Sequence, residues 1–203
     1  MYKHRIPAIL PLIFPSLLWK VKTKENVIYI TFDDGPHPDI TPKVLEILNQ
    51  YNAKATFFCV GENVEKYPET FQLILDANHA VGNHTYNHIK GWKTNTVNYT
   101  ENINKASKFI GSSLFRPPYG RITMEQIKSV SKDYKIIMWS VLTRDYEKNL
   151  NINKAIRKLC NQTSQGDIVV FHDSRKAEMN MFILLKQMLE FFSKQGYRFE
   201  KLC

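Results

Sequence analysis

Strand-like and helix-like patterns alternate along most of the 203 residues, and this alternation limits the fold more than any other feature. Seven short apolar runs rich in β-branched and aromatic residues predict strands, and helical patterns separate most of them. The predicted strands cover residues 27–32, 54–59, 80–83, 113–116, 135–140, 167–171 and 197–200. Because strands connected by helical crossovers lie parallel, the pattern predicts one α/β domain, built either as a barrel or as a doubly wound sheet. Both architectures place their functional site at the carboxyl ends of the strands.

Helix signals support the same order of elements. The predicted helical segments are 41–51, 62–77, 97–110, 123–132, 152–162 and 178–195. Thr41 and Pro42 predict an N-cap followed by a first-turn proline. Gly111 predicts the end of the third helical segment, because glycine commonly follows the last helical turn. Thr123 and Gln126 have the spacing of a capping box.

The first 24 residues differ from the rest of the chain. Residues 6–19 carry no charge, but this run is shorter than the about 20 apolar residues that span a bilayer. Three prolines spaced four residues apart would interrupt a helix there. We expect residues 1–24 to form an apolar and basic arm packed over the end of a domain at 25–203. Membrane-surface attachment and an uncleaved anchor are the alternatives for this arm.

Charge and cysteine content narrow the partners and the compartment. The formal net charge of +9 favours anionic surfaces or polymers, but no nucleic-acid-binding motif accompanies it, so we expect no nucleic-acid partner. The three cysteines have no Cys-x-x-Cys spacing, so they predict neither a zinc knuckle nor a disulfide framework and favour a reducing compartment. No small-x-small cleavage site follows the apolar run, so no clear cleavable signal peptide is predicted. The expected location is the cytoplasm or the membrane of a bacterium.

Polar residues follow five of the predicted strands at the point where each strand ends. Asp33 and Asp34 end the first strand before a Gly-Pro turn, which frees both side chains from the alternation of the strand. The other strand-end residues are His84, His88, Arg116, Asp145, His172 and Asp173. Because the carboxyl ends of parallel strands meet at one edge, we expect these side chains to share one polar site.

His84 and His88 have a spacing that suits metal binding. Four residues apart, they would lie on one face of a helical turn. With one aspartate they offer two nitrogens and one oxygen, which suits Zn²⁺ with an open position for water and also suits non-haem iron. Thr85 stands where the zinc-protease helix carries its glutamate, so a catalytic base would have to come from elsewhere in the chain.

Five motifs in order resemble the polysaccharide deacetylases with a NodB homology domain, also called carbohydrate esterase family 4. The matching segments are Thr31-Phe32-Asp33-Asp34-Gly35-Pro36, His84-Thr85-Tyr86-Asn87-His88, Arg116-Pro117-Pro118-Tyr119-Gly120, 139–146 and 168–173. The resemblance therefore covers most of the chain. It implies a single-domain distorted (β/α) barrel with about seven parallel strands, and it favours the barrel over the open sheet.

The resemblance also implies a role for each matching polar residue. Asp33 would be the catalytic base, and Arg116 would hold it. His172 would be the general acid, oriented by Asp145. One divalent ion would be bound by Asp34, His84 and His88. Zn²⁺ is the first expectation for this ion, with Co²⁺, Ni²⁺, Mn²⁺ or Fe²⁺ as alternatives.

Four further residues are expected to contact substrate, namely Pro118, Tyr119, Tyr146 and Val170. The Tyr119 backbone N–H would face the developing oxyanion. Three positions depart from the family pattern: Leu142 replaces an aspartate, Tyr146 a tryptophan and Val170 the more usual leucine. Tyr146 and Val170 change the wall that would receive the acyl methyl group.

The expected function is metal-dependent removal of N-acetyl groups from a glycan or glycoconjugate that contains N-acetylglucosamine. Peptidoglycan, a chitooligosaccharide or a lipid-linked sugar would each qualify as this acetylated substrate. The altered wall leaves a related amidohydrolase acting on another acyl amide or a cyclic amide as an alternative. A non-catalytic carbohydrate-binding envelope protein that keeps the fold is the other alternative. No oligomeric state is predicted.

Overall fold

The structure, a computed structural model, describes residues 4–203 and contains a curled sheet with helices packed against it. The strands are β1 Val27–Asp33, β2 Ala55–Cys59, β3 Ala80–Asn83, β4 Leu114–Phe115, β5 Lys135–Ile136, β6 Val141–Leu142, β7 Ile168–His172 and β8 Arg198–Phe199. Seven strands follow the order β5-β4-β3-β2-β1-β7-β6, and β8 pairs with the start of β1. All these pairings are parallel. The predicted distorted (β/α) barrel with about seven parallel strands is confirmed.

The helices lie between the strands in the predicted order. They are α1 Leu10–Ile13, α2 Thr41–Gln50, α3 Gly61–Lys66, α4 Pro68–Asp76, α5 Thr96–Ser107, α6 Met124–Val130, α7 Ile152–Gln162 and α8 Glu178–Ser193. Short 3₁₀ turns cover Gly91–Lys93 and Pro118–Gly120. Within residues 4–203, the helices are too short or too polar to cross a bilayer.

Local helix signals were confirmed in full at the start of α6 and in part at the start of α2. The capping box of Thr123 and Gln126 at the start of α6 is confirmed. The N-cap of α2 is Ile40, so the predicted capping role of Thr41 is wrong, whereas the predicted first-turn proline, Pro42, is confirmed. α5 ends four residues before Gly111, so this glycine does not end the helix.

The aromatic core positions the carboxyl end of β1. Phe32 stacks between Phe57 of β2 and Phe171 of β7, with ring centroids 4.9 and 5.7 Å away. Each ring is buried, and each such burial contributes about 2 kcal/mol. The packing holds the three strands in register, with Asp33 beside His172 on the neighbouring strand.

The predicted strand 135–140 is wrong as a single strand. Its first part, β5, pairs with β4 at one end of the sheet, whereas β6 follows it and pairs with β7 at the other end. Between them, the backbone of the N-terminal arm takes the place of a neighbouring strand. The Leu18 N–H donates to the Ile136 carbonyl (2.9 Å), and the Met138 N–H donates to the Leu18 carbonyl (2.7 Å).

The arm also contacts the domain through charged and apolar side chains. Arg5 and Lys20 both pair with the buried carboxylate of Asp167, at 2.7 and 3.1 Å. Leu17 and Trp19 are buried in a hydrophobic cluster of the domain. Residues 1–3 of the predicted arm lie outside the described residues, and the division of the chain at residue 24 stays a prediction.

Candidate active site

A pocket of about 570 Å³ lies at the carboxyl ends of the strands. Eight of the eleven predicted site residues line it: Asp33, Asp34, His84, His88, Tyr119, Tyr146, Val170 and His172. The other three predicted residues, Arg116, Asp145 and Pro118, are buried beside or behind the lining. Residues from five separate segments of the chain therefore meet at one opening.

The turn after β1 brings two adjacent carboxylates into the pocket. Asp33 ends the strand, and Asp34 takes a left-handed backbone conformation (φ 85°), so the two side chains escape the strand's alternation. The Gly35 N–H donates to a carboxylate oxygen of Asp173 (3.0 Å). A Cβ at Gly35 would lie 2.1 Å from the other oxygen, so this close approach requires glycine.

Asp173 stabilises the same turn through its buried carboxylate. Its carboxylate also accepts a hydrogen bond from the Thr41 hydroxyl (2.6 Å), and that hydroxyl accepts one from the His37 N–H (2.8 Å). Burial raises the pKa of Asp173 to about 7. This buried network explains why Thr41 does not cap α2, because its hydroxyl is already bonded to Asp173 and to the His37 N–H.

His84 and His88 lie in a loop, so the predicted helical turn is wrong. Thr85 and His88 both have left-handed backbone conformations (φ 64° and 57°), which interrupt any helix. The side chain of Asn83 accepts from the Thr85 N–H (2.8 Å), and that of Asn102 accepts from the Tyr86 N–H (2.8 Å). These side-chain acceptors replace helical carbonyls, and the loop still brings both imidazoles to Asp34.

The three predicted ligands offer a compact donor set. An oxygen of Asp34 lies 3.2 Å from His88 Nε2 and 3.8 Å from His84 Nε2, and the donor atoms all lie within 4.8 Å of one another. His84 Nδ1 contacts the Arg116 carbonyl (2.8 Å), which can only accept, so Nδ1 carries the proton and Nε2 keeps its lone pair. Two nitrogens and one oxygen with an open side suit a divalent cation.

The protonation states agree with a ligand set. Burial lowers the pKa of His84 to about 4, so this imidazole is neutral at pH 7. Burial alone would raise the pKa of Asp34, but His88, His172 and His84 outweigh it and lower that pKa below its usual range. A neutral imidazole and a carboxylate are the forms that bind metal.

Arg116 is fully buried and holds Asp33 at a defined place. One guanidinium nitrogen donates to Asp33 and to the Thr31 hydroxyl, both at 2.7 Å, and another donates to the Met138 carbonyl (2.9 Å). The guanidinium also stacks over the Phe58 ring, 4.0 Å from its centroid. With its partners fixed on three segments, Arg116 aims the Asp33 carboxylate at the pocket.

His172 is held in the same way by Asp145. One oxygen of the buried Asp145 accepts from His172 Nδ1 (2.7 Å), and the other accepts from the His172 backbone N–H (2.8 Å). Burial disfavours the imidazolium, but the Asp145 carboxylate outweighs it and raises the pKa of His172 to about 9. The edge of the Tyr146 ring packs on the imidazole, with centroids 5.0 Å apart. The raised pKa favours the cationic form of His172 at neutral pH, and an imidazolium at the pocket wall can donate a proton.

Tyr119 forms the exposed lip of the pocket on the opposite side. Its backbone is left-handed (φ 60°) within the turn that follows β4, and 53% of the residue is exposed. The ring lies 4.6 Å from the His88 ring, centroid to centroid. The neighbouring Pro118 is buried and does not line the pocket.

Five lining residues were not predicted as site residues: Arg121, Trp139, Leu142, Ser174 and Lys176. Arg121 directly follows the third motif, and Ser174 and Lys176 follow the fifth. Trp139 and Leu142 lie within the fourth. The signal that could have found them is proximity in sequence to a strand-end motif, because loops after parallel strands build the rim of such sites.

Comparisons with known proteins agree with the geometry. The family model for polysaccharide deacetylases matches residues 20–137. A peptidoglycan-N-acetylglucosamine deacetylase of Bacillus cereus is 35% identical over 189 residues, which is 89% of this chain and 88% of the relative. A chitooligosaccharide deacetylase of Azorhizobium caulinodans is 35% identical over 164 residues, 76% of this chain and 77% of the relative.

Solved structures show the same likeness. The fold superposes with a TM-score of 0.87 on the crystal structure of a peptidoglycan N-acetylglucosamine deacetylase in complex with 4-naphthalen-1-yl-N-oxidanyl-benzamide. The two chains are 29% identical, and the match covers 97% of this chain and 95% of the other.

Proposed function

The chain belongs to the polysaccharide deacetylase family and is a carbohydrate deacetylase, and we propose that it removes N-acetyl groups from N-acetylglucosamine units in a metal-dependent reaction. Peptidoglycan and chitooligosaccharides are the first candidate substrates, since relatives carry those names. The observation that supports the reaction most strongly is the meeting of a carboxylate base, a cationic histidine and a metal-ligand set in one pocket.

The metal would be held by Asp34, His84 and His88, whose donor atoms fit a single divalent ion, with Zn²⁺ as the first candidate. When bound, such an ion lowers the pKa of its water from about 15.7 towards 7 and polarises the acyl oxygen. His84 is prepared for this role because its Nδ1–H is already bonded to the Arg116 carbonyl.

The other residues would move protons and stabilise charge. Asp33, held by Arg116, accepts the proton of the attacking water. The Tyr119 backbone N–H would face the oxyanion, a kind of donor that is typically worth about 3 kcal/mol. His172, kept cationic by Asp145, then donates its proton to the leaving amine, which cannot depart as an anion. Base and acid therefore stand on neighbouring strands, β1 and β7.

The three departures from the family pattern converge on the pocket. Leu142, Tyr146 and Val170 all line it. Their clustering supports a changed acyl-binding wall, which keeps a related amidohydrolase acting on another acyl or cyclic amide as the second candidate. The non-catalytic envelope protein has less support, because the polar groups of both proton-transfer pairs are present and paired.

Acetate release tests the proposal directly. Chitooligosaccharides, peptidoglycan fragments and lipid-linked N-acetylglucosamine are each incubated with the enzyme, with and without a chelator. We expect acetate from at least one substrate, loss of release with chelator, and recovery when Zn²⁺ is restored. Release of another acyl group would favour the second candidate. Stoichiometric metal binding without release from any substrate would favour the non-catalytic protein.

We also propose that the arm contacts a bacterial membrane surface. Three apolar side chains of the arm are exposed: Ile9 (54%), Leu12 (75%) and Ile13 (56%). They lie within residues 6–19, a run that contains no charged residue. Leu12 borders a groove of about 1260 Å³ that is also lined by Lys20, Lys22, Lys24 and Lys135. Apolar side chains beside lysines complement a bilayer with anionic headgroups.

A further inference from the structure

Three cations surround the mouth of the active-site pocket, and we call Lys90, Arg121 and Lys176 the cationic rim. Arg121 and Lys176 line the pocket, and Lys90 lies over the ring of Tyr119, which also lines it. Arg121 follows β4 and Lys176 follows β7, which lie on opposite sides of β1 in the sheet. The positive charges therefore stand on both sides of the opening.

Each cation of the rim is held over an aromatic ring. Lys90 lies 4.6 Å from the centroid of Tyr119, and Lys176 lies 5.2 Å from that of Tyr146. Arg121 lies 5.2 Å from the centroid of Trp92. Such contacts orient a cation without neutralising it, so the N–H donors remain free for a ligand.

The acids near the pocket are already engaged. Asp33 is paired with Arg116, and Asp34 lies among the histidines. On the Lys176 side, Asp39 and Glu178 both pair with Arg175. Within residues 4–203, none of the three rim cations makes an ion pair or a hydrogen bond with a carboxylate. The rim therefore carries uncompensated positive charge at the entrance.

Resting on the proposed function, we propose that the cationic rim binds an anionic group, a carboxylate or a phosphate, on the sugar next to the one that is deacetylated. A neutral glycan presents hydroxyl groups, uncharged acetamido groups and apolar ring faces, none of which needs a cationic partner. An acidic neighbour would pair with Arg121 or Lys176 while the N-acetyl group enters the pocket. The enzyme thus prefers an acidic glycan to a neutral one.

Substrates of matched length test this preference. They are tetra-N-acetylchitotetraose, which is neutral, a peptide-free peptidoglycan tetrasaccharide with free lactyl carboxylates, and a 6-phosphorylated tetra-N-acetylchitotetraose. For each, kcat/KM for acetate release is measured at low and high salt, and equilibrium binding is measured separately. The proteins are the full chain, the double variant Arg121→Gln/Lys176→Gln, and the control Lys108→Gln/Lys186→Gln. The control removes two charges from exposed positions outside the pocket lining.

We expect the wild type to prefer an acidic substrate by up to about fivefold at low salt, which is the contribution of one exposed ion pair. The preference should shrink at high salt and in the rim variant, and persist in the control. If kcat/KM exceeds that of the neutral substrate for only the carboxylate substrate, or for only the phosphate substrate, that result identifies the preferred anion. Equal kcat/KM and equal binding of acidic and neutral substrates, or a preference unchanged in the rim variant, would overturn the inference. If no substrate releases acetate, the proposed function fails, and the binding data still decide the rim.

Discussion

Two buried partners decide what the reactive groups of this site can do. Arg116 and Asp145 are both fully buried, and each presents a fixed charge to a residue at the pocket wall. Arg116 bonds to Asp33, and Asp145 bonds to His172. In the proposed mechanism the pairing separates the roles, because Arg116 orients Asp33 to accept a proton and Asp145 keeps His172 an imidazolium that donates one.

Removing His172 and removing His84 should have different effects. His172→Ala is expected to retain bound metal while kcat falls by about 10²- to 10⁴-fold, the range for losing a general acid. His84→Ala is expected to lose both metal and activity. Bound metal measured by elemental analysis, together with acetate release, distinguishes the two variants. Normal activity in either variant would contradict the assigned roles.

The Asp145 carboxylate should set the alkaline limit of activity. Since the pKa of His172 is raised to about 9, its proton is present below that pH and lost above it. In Asp145→Asn the raising charge is gone, so the pKa falls and the alkaline limb of kcat/KM should move to lower pH. Glu101→Gln, an exposed change on α5, serves as control and should leave the profile in place. An unmoved limb in Asp145→Asn would argue against this pairing.

At the scale of elements, the arm completes the sheet where β5 and β6 separate. Its backbone bonds to residues 136–142, and its side chains converge on Asp167 just before β7. The buried carboxylate also accepts from the Ser140 hydroxyl (2.9 Å) and from the Ser164 N–H (2.8 Å). One residue therefore connects the arm, the segment before β6 and the start of β7.

Asp167→Asn should destabilise the protein by about 2 kcal/mol. The substitution removes the buried negative charge that pairs with Arg5 and Lys20. Burial alone would raise the pKa of Asp167. The bonds from Arg5 and Ser164 outweigh burial, so the pKa lies below its usual value. Its stabilisation is therefore present above the unfolded pKa of about 3.9 and is lost as pH falls through the lower folded value. Urea unfolding at pH 7 and at pH 3 measures both effects, and the variant should lose less stability on acidification.

The matched control for Asp167 is Glu190→Gln. Glu190 makes an exposed pair with Lys194 on α8, so its loss should leave the urea midpoint unchanged. An equal shift of the urea midpoint in both variants would mean that the buried Asp167 carboxylate does not stabilise the packing of the arm.

At the scale of the whole molecule, two faces of the domain differ in chemistry. The pocket lies at the carboxyl ends of the strands, whereas the lysine-lined groove includes residues before β1, at the start of β5 and before β7. A bilayer on the groove side would leave the pocket open towards a polymer above the membrane. The net charge of +9 would add to the attraction for anionic lipid.

Vesicle flotation tests this orientation. The full chain should float with phosphatidylglycerol vesicles and not with phosphatidylcholine vesicles, and high salt should weaken binding. Leu12→Asn/Ile13→Asn should abolish flotation. Met179→Asn/Ile183→Asn removes two exposed apolar side chains from α8 and should have no effect. Flotation that is equal for all variants would refute a role for the arm.

The order of strands and helices and the identity of the groups at the strand ends follow from local patterns in the amino-acid sequence. Both depend on residues a few positions apart, so periodicity and motifs reveal them. The strand-end aspartates, histidines and Arg116 were predicted in this way. The split of 135–140 was not predicted, because its backbone partners come from the arm, more than a hundred residues earlier.

The loop conformation of His84 and His88, the seating of the arm and the cationic rim depend on contacts between distant segments of the folded chain. Arg5 meets Asp167 across 162 positions, and Lys176 stacks on Tyr146 from a different loop. Such contacts form when strand pairing brings distant segments together, and no local pattern encodes them. Side-chain acceptors such as Asn83 and Asn102 likewise act only once β3 and α5 are packed.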